Sequence, residues 1–252
     1  MNVSLIVDIM PQLVHGMILT ICLTLAAVVI GAAVALPLSL MRASSSAALR
    51  YPVLFYTYVF RGTPLLVQLF LIYYGASRIG WVRSSMLWMI LRDPIWCALI
   101  AFVLNHAAYA TEILRGGIRA VPVGEVEAGK AVGMSYMLRT RRLVLPRAIR
   151  LVLPMYANEV IMLLKSSSLA STITIMEITG SARKIVAQTF APYEVFIAAA
   201  VIYLGLSFVI MQGFRLVEAS FSTSETRSSP LKRCTYPRRF AWIKPRPREA
   251  RR

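Results

Sequence analysis

Residues 125–146 read EVEAGKAVGMSYMLRTRRLVLP, the longest polar interval in an otherwise apolar chain. Pro122 and Gly124 close the segment before it. Glu125 and Glu127 fall in the first turn of a helix, where acidic side chains complement the helix dipole, and that helix is predicted over 125–132. Gly133 is placed to take the left-handed conformation that stops it. Ser135 is placed to cap a second helix over 136–144. Pro146 cannot lie inside a helix with a bonded N–H, so it is expected to mark the exit. The expectation is two short helices at an angle, lying along a membrane surface.

Outward from this hairpin the sequence is built for lipid. Of 252 residues, 58% are hydrophobic and the mean hydropathy is +0.64, against about 45–50% apolar residues in a soluble domain. The excess lies in blocks long enough to span a bilayer, about 20 residues each. The expected fold is an all-α membrane protein of about five spans, near 13–41, 53–76, 95–113, 151–173 and 195–217. Residues 1–12 precede the spans, and 222–252 form a basic tail expected to be disordered. Pro64 should kink or restart the second span. Gly16 and Gly31 should let the first span approach its neighbours closely.

The net charge of +17 does not point to nucleic acid, because the basic residues sit between and after apolar blocks. Arg42 and Arg50, the cluster from Arg115 to Arg150, and the tail share one side of a five-span chain. By the positive-inside rule that side is cytoplasmic, which leaves the N-terminus outside. Arg78, Arg83, Arg92, Arg183 and Lys184 count against this orientation but are fewer. No basic region precedes the first apolar block, so an uncleaved first span is expected. Cys22, Cys97 and Cys234 show no paired spacing, and His15 and His106 stand alone. These read as packing or free residues, with no metal and no disulfide framework. No GxxxxGK[ST] run occurs, and no nucleophile stands beside a base, so a non-catalytic chain is expected.

By residue chemistry alone the hairpin fits an amphipathic element held by anionic lipid as well as a docking surface. The run Glu127-Ala128-Gly129, then Gly133, then Leu143-Val144-Leu145-Pro146, resembles the "EAA…G…I.LP" loop of ABC-importer membrane subunits. Here Gly129 replaces the second Ala and Leu143 replaces Ile. Further resemblance to polar amino-acid permeases lies in Tyr58-Val59-Phe60-Arg61-Gly62-Thr63-Pro64-Leu65-Leu66-Val67-Gln68-Leu69, in Ala107-Ala108-Tyr109-Ala110-Thr111-Glu112-Ile113-Leu114-Arg115-Gly116-Gly117-Ile118, and in the run from Asn158 to Leu169. It covers about residues 13–221 and leans toward the "M"-type permeases for histidine, lysine, arginine and ornithine or for the opines octopine and nopaline. The resemblance implies that Glu127, Ala128, Gly129, Gly133, Leu143, Leu145 and Pro146 dock a cytoplasmic ABC ATPase dimer. That dimer would bind ATP and Mg, and this chain would hold no cofactor. A second, "Q"-type permease, a periplasmic binding protein and a bacterial inner membrane are implied as well.

A permease needs polar groups along its path, and ionisable residues inside the membrane are the first candidates because desolvation makes them costly. Glu159 leads. Asn158, Glu159, Met162, Lys165, Ser166 and Leu169 recur near helical spacing, so some share a face. A carboxylate there suits a cationic substrate group, and Ser166 and Ser167 suit an α-carboxylate. Pairing of Glu159 with Lys165 is the structural alternative. Thr63-Pro64 fits a path-lining break and a plain kink equally. Arg61 is expected to be structural or to snorkel, Glu112 to pair with Arg115, and Asn105 and His106 to make interhelical hydrogen bonds. The rival from another class is a secondary transporter or channel without an ATPase. It would have no use for the hairpin, and no inverted repeat is evident.

Overall fold

The computed structural model describes residues 3–222. The expected tail and Cys234 lie outside the described residues, except that Ser222 ends the last helix. Among the described residues the chain is helical without strands. Helix α1 spans Val3–Ala43, so residues from Val3 up to 12, expected as a separate terminus, are already helix. At 1.5 Å per residue, 41 residues reach about 60 Å, twice the hydrocarbon core of a bilayer.

The second span is α2 (Ala47–Gly62) followed by α3 (Leu65–Phe70), which a π turn extends over Leu71–Gly75. Thr63 and Pro64 between them are extended, and the axis turns by 102°. The expected kink is therefore a full restart. The short helices α4 (Gly80–Arg83) and α5 (Leu87–Leu91) lead to α6, Pro94–Ala120. Asp93 caps α6 by accepting from Ile95 N–H at 2.9 Å.

The hairpin follows as α7 (Val123–Ala131) and α8 (Tyr136–Arg139). Beyond it the expectation fails in one respect. Pro146 does not end the helix. A π turn at Thr140–Val144 joins α8 to α9, Leu145–Ser166, and Pro146 sits in the first turn of α9. The wider turn, closed by Leu145 N–H donating to Thr140 O, is how a helix passes a proline ring that would otherwise meet the preceding carbonyls.

A 3-10 turn (Ser167–Ile173) and α10 (Ile178–Thr189) continue from α9 with a bend of 49°, and α11 runs over Pro192–Ser222. Among the described residues three helices are long and apolar enough to cross a membrane, and up to five spans result when each bent pair counts as one.

Helix α6 is the central element. It carries Cys97, Ala98, Ala101, Phe102, Ala107 and Ala108 fully buried, with α1, α3 and α9 packed around them. Small residues bring backbones close, which matters where lipid offers no hydrophobic drive between helices. The first span behaves as expected. A Cβ on Gly16 would come within 2.9 Å of Glu177 O on the α10 side, and one on Gly31 within 2.8 Å of the His106 ring.

Candidate functional site

Two features stand out, a hairpin at one end of the bundle and a polar cavity within it. In the hairpin, Gly133 adopts φ +76°, and Met134 N–H donates to Gly129 O at 3.0 Å. This is the left-handed stop the sequence calls for. Ser135 caps α8, its Oγ accepting from Leu138 N–H at 3.4 Å. A small core of Val121, Val144 and Ala148, with Ile118 and Val126 beside it, pins the hairpin to α6 and α9. Glu127, Ala128, Gly133 and Pro146 are exposed, while Leu143 and Leu145 are half-buried and Gly129 is buried. Val123, Val132, Tyr136 and Met137 are each at least 65% exposed. The hairpin thus presents an apolar outer surface on a rigid base.

The two departures from the EAA pattern touch each other. A Cβ on Gly129 would come within 2.9 Å of Leu143 Cδ1 and 3.1 Å of Arg139 Cδ. Glycine at 129 makes room for leucine at 143.

Above the hairpin, Glu112 ties three helices together. It accepts from Arg42 Nε at 2.9 Å and Thr57 Oγ1 at 3.2 Å through one oxygen, and from Arg115 Nε at 2.6 Å through the other. The Arg115 pair was legible from spacing. Arg42 and Thr57 were not, since they lie 70 and 55 positions away.

The polar cavity, of about 360 Å³, opens at the α2–α3 break. Thr63, Glu159, Met162 and Ser166 line it together with Arg61, Asn105 and Tyr109. Its size lies within the range of small-molecule sites. The break is itself well satisfied. Pro64 has no N–H for the carbonyl four residues before it, that of Phe60. Gln68 Nε2 donates to that carbonyl at 2.8 Å and Asn105 Nδ2 at 3.2 Å, while Asn105 also donates to Gln68 Oε1 at 3.1 Å. Arg61 lies over the Tyr109 ring, 5.2 Å from its centroid. A second cavity of about 570 Å³ shares Arg61, Gly62 and Thr63 and reaches Glu112 and Arg42. Polar groups therefore run from Glu159 toward the hairpin end.

The remaining residues of the expected path fall elsewhere. Asn158 is exposed and lines a separate small pocket with Phe214 and Arg215. Ser167 is fully buried and donates to Leu164 O at 2.7 Å. Asn158 and Ser167 point away because they are 100° around the helix from Glu159 and Ser166 respectively. Glu159 makes no ion pair with Lys165; it stands 3.7 Å from His106 Nδ1. His106 bonds across to α9 through Tyr156, at 3.1 Å.

One buried acid escaped the sequence reading. Glu177 is fully enclosed and caps α10, accepting from Thr179 N–H at 2.9 Å and Gly180 N–H at 2.8 Å. The Tyr203 hydroxyl donates to it at 2.8 Å. The signal was present: an acid followed by Ile-Thr-Gly at the start of an amphipathic run is an N-cap pattern.

The family described as "Binding-protein-dependent transport system inner membrane component" matches residues 27–223. The octopine transport system permease protein OccM of Rhizobium meliloti is 49% identical over 208 residues, covering 82% of this chain and 85% of that protein. The nopaline transport system permease protein NocM of Agrobacterium fabrum is 47% identical over 219 residues, covering 86% and 91%. The histidine/lysine/arginine/ornithine permease HisM of Escherichia coli K12 is 42% identical over 204 residues, covering 81% and 86%. Among solved structures, an amino acid ABC transporter crystallised with histidines superposes with TM-score 0.75 at 34% identity, over 85% of this chain and 96% of that one.

Proposed function

Because this chain belongs to the family of binding-protein-dependent transport system inner membrane components, we propose that it moves a basic amino acid or an amino-acid-derived opine across a bacterial inner membrane. It is the permease subunit of an ABC importer and not an enzyme. A separate ATPase dimer docks on the hairpin 125–146 and hydrolyses ATP, a periplasmic binding protein delivers the substrate, and a second, "Q"-type permease completes the path. The hairpin faces the cytoplasm with the C-terminus, and the N-terminal end of α1 faces outward. The basic residues at the Arg42 and hairpin end support this orientation.

The observation that carries the substrate class is the opposed charge in the cavity, with Glu159 and Arg61 in one wall system. Amino acids and opines bring both a cationic group and a carboxylate. Glu159 accepts from the cation, Arg61 attracts the carboxylate, and Ser166 and Thr63 add hydroxyls. The break at Thr63-Pro64 lines this site, and irregular backbone is tolerated there because it faces a cavity. ATP-driven motion of the hairpins rocks α9, which is continuous with α8, and so moves Glu159. Alternating access follows from coupling a rigid lever to the cavity wall.

Uptake by the reconstituted importer, with arginine, ornithine, histidine, octopine and nopaline supplied separately, tests the substrate class. Glu159→Gln should weaken uptake of cationic substrates at least tenfold, the scale of one lost charge-assisted hydrogen bond. Unaltered affinity and rate for every one of them would remove Glu159 from the path.

A further inference from the structure

His106 is fully enclosed where α6 meets α1 and α9. Its ring occupies the space that Gly31 leaves open on α1. Nε2 lies 3.1 Å from the Tyr156 hydroxyl, and the two rings are 5.5 Å apart. Nδ1 makes no hydrogen bond and faces Glu159 Oε1 at 3.7 Å. A buried polar nitrogen without a partner is costly and rare. Here it stands directly behind the carboxylate that lines the cavity, and the Glu159 side chain is only 15% exposed.

We infer that His106 is a positioning residue that sets how much negative charge Glu159 offers to a cationic substrate. This rests on the proposed contact between Glu159 and the substrate cation. The chemistry of the two ring nitrogens supports it. A tyrosine hydroxyl both donates and accepts, so Tyr156 satisfies Nε2 whether the imidazole is neutral or charged. Nδ1 serves Glu159. With the cavity empty, an imidazolium at His106 is the internal counter-ion of Glu159. A cationic group entering the cavity takes over that carboxylate, and the proton on His106 loses its partner in a low-dielectric interior.

Substrate binding therefore releases a proton. Affinity falls as the pH falls, by at most about tenfold per pH unit for one proton. Histidine is the side chain whose charge ordinarily changes in the range of about pH 5 to 8. Few other groups compete. From α9 the titratable neighbours are Glu159 and Tyr156, and α1 carries only the Cys22 thiol between Gly16 and Met41, more than two turns from Gly31. From the α2 side, Arg61 faces the same cavity, and α3 contributes the neutral Gln68 bonded to Asn105. Along α6 itself, Tyr109 lines the cavity and Glu112 is held by two arginines. From α11, Phe214 packs on Tyr156.

The test is equilibrium binding of arginine, ornithine and octopine to the purified complex of this chain with its ATPase and sister permease. Dissociation constants are read at about pH 5.5, 6.5 and 7.5, where the cations of these probes do not titrate. For the wild type, Kd should rise severalfold toward acid pH, and for His106→Asn it should stay flat. A wild-type pH slope in His106→Asn overturns the inference. Should that variant fail to assemble, Glu159→Gln decides: without charge at 159 the slope must vanish, and a persisting slope overturns the inference. The two readings fail separately. An unchanged Kd in Glu159→Gln overturns the Glu159 contact, whereas a raised Kd there with the slope intact in His106→Asn overturns only the role of His106.

Discussion

Gln68 Nε2 donates to the carbonyl of Phe60 at 2.8 Å, and that carbonyl is the one Pro64 leaves without a helical donor. The same nitrogen reaches Thr63 O and Oγ1 at 3.1 and 2.8 Å. One buried amide therefore holds the α2–α3 break open as a cavity wall. Replacing it with Leu keeps the volume and removes the donor, so the Phe60 carbonyl is left to Asn105 alone and Thr63 O loses this bond, at about 1–3 kcal/mol. Gln68→Leu should lower the unfolding midpoint of the purified protein and weaken substrate binding together. An unchanged midpoint would show that water or Asn105 alone suffices.

The contact between Gly129 and Leu143 makes a second prediction. Alanine at 129 gains about 1 kcal/mol of helix propensity but meets Leu143 Cδ1, and overpacking of this kind costs about 1–3 kcal/mol. Gly129→Ala alone should reduce ATPase association and uptake. Adding Leu143→Ala should relieve the crowding, so a double-mutant cycle should report a coupling of at least about 0.5 kcal/mol. Additive effects would mean that the two positions do not sense each other.

Gly133 tests the shape of the hairpin itself. At φ +76° a β-branched residue is strained by about 1–3 kcal/mol, although nothing stands within 4 Å of a Cβ there. Gly133→Val should therefore disturb the angle between α7 and α8 without a steric clash. The expected result is normal membrane insertion with lost ATPase co-purification. Full co-purification would separate docking from the hairpin angle.

Glu112 gathers Arg42, Thr57 and Arg115, all largely shielded from solvent. Glu112→Gln leaves two guanidinium groups facing a neutral amide, a loss of about 2 kcal/mol. Thermal unfolding should show it as a clear drop in midpoint, while Thr57→Val should cost less than half as much. Equal effects from both would shift the weight of the junction from charge to packing.

Much of this protein was legible because its signals are local or periodic. Apolar blocks, Gly133, Ser135 and the EAA-like run each declare themselves within a few residues, since a bilayer and a tight turn constrain the chain residue by residue. Helix boundaries were less legible. Pro146 reads as a stop, yet a π turn at Thr140–Val144 carries the helix past it, and propensity does not encode that extra residue per turn.

The sequence by itself determined the class of the protein, the hairpin and the candidacy of Glu159, because membrane burial leaves few reasons for a carboxylate in an apolar run. Only the tertiary structure decided what surrounds that carboxylate. Arg61, Asn105 and Tyr109 come to it from other helices, Asn158 and Ser167 turn away from it, and His106 backs it from α6. Those choices depend on helix rotation and crossing, which are set by where small residues such as Gly31 let backbones approach. The break at Thr63-Pro64 is visible in the sequence as a proline. That it becomes a cavity wall depends on Gln68 and Asn105 meeting the freed carbonyl across two helices.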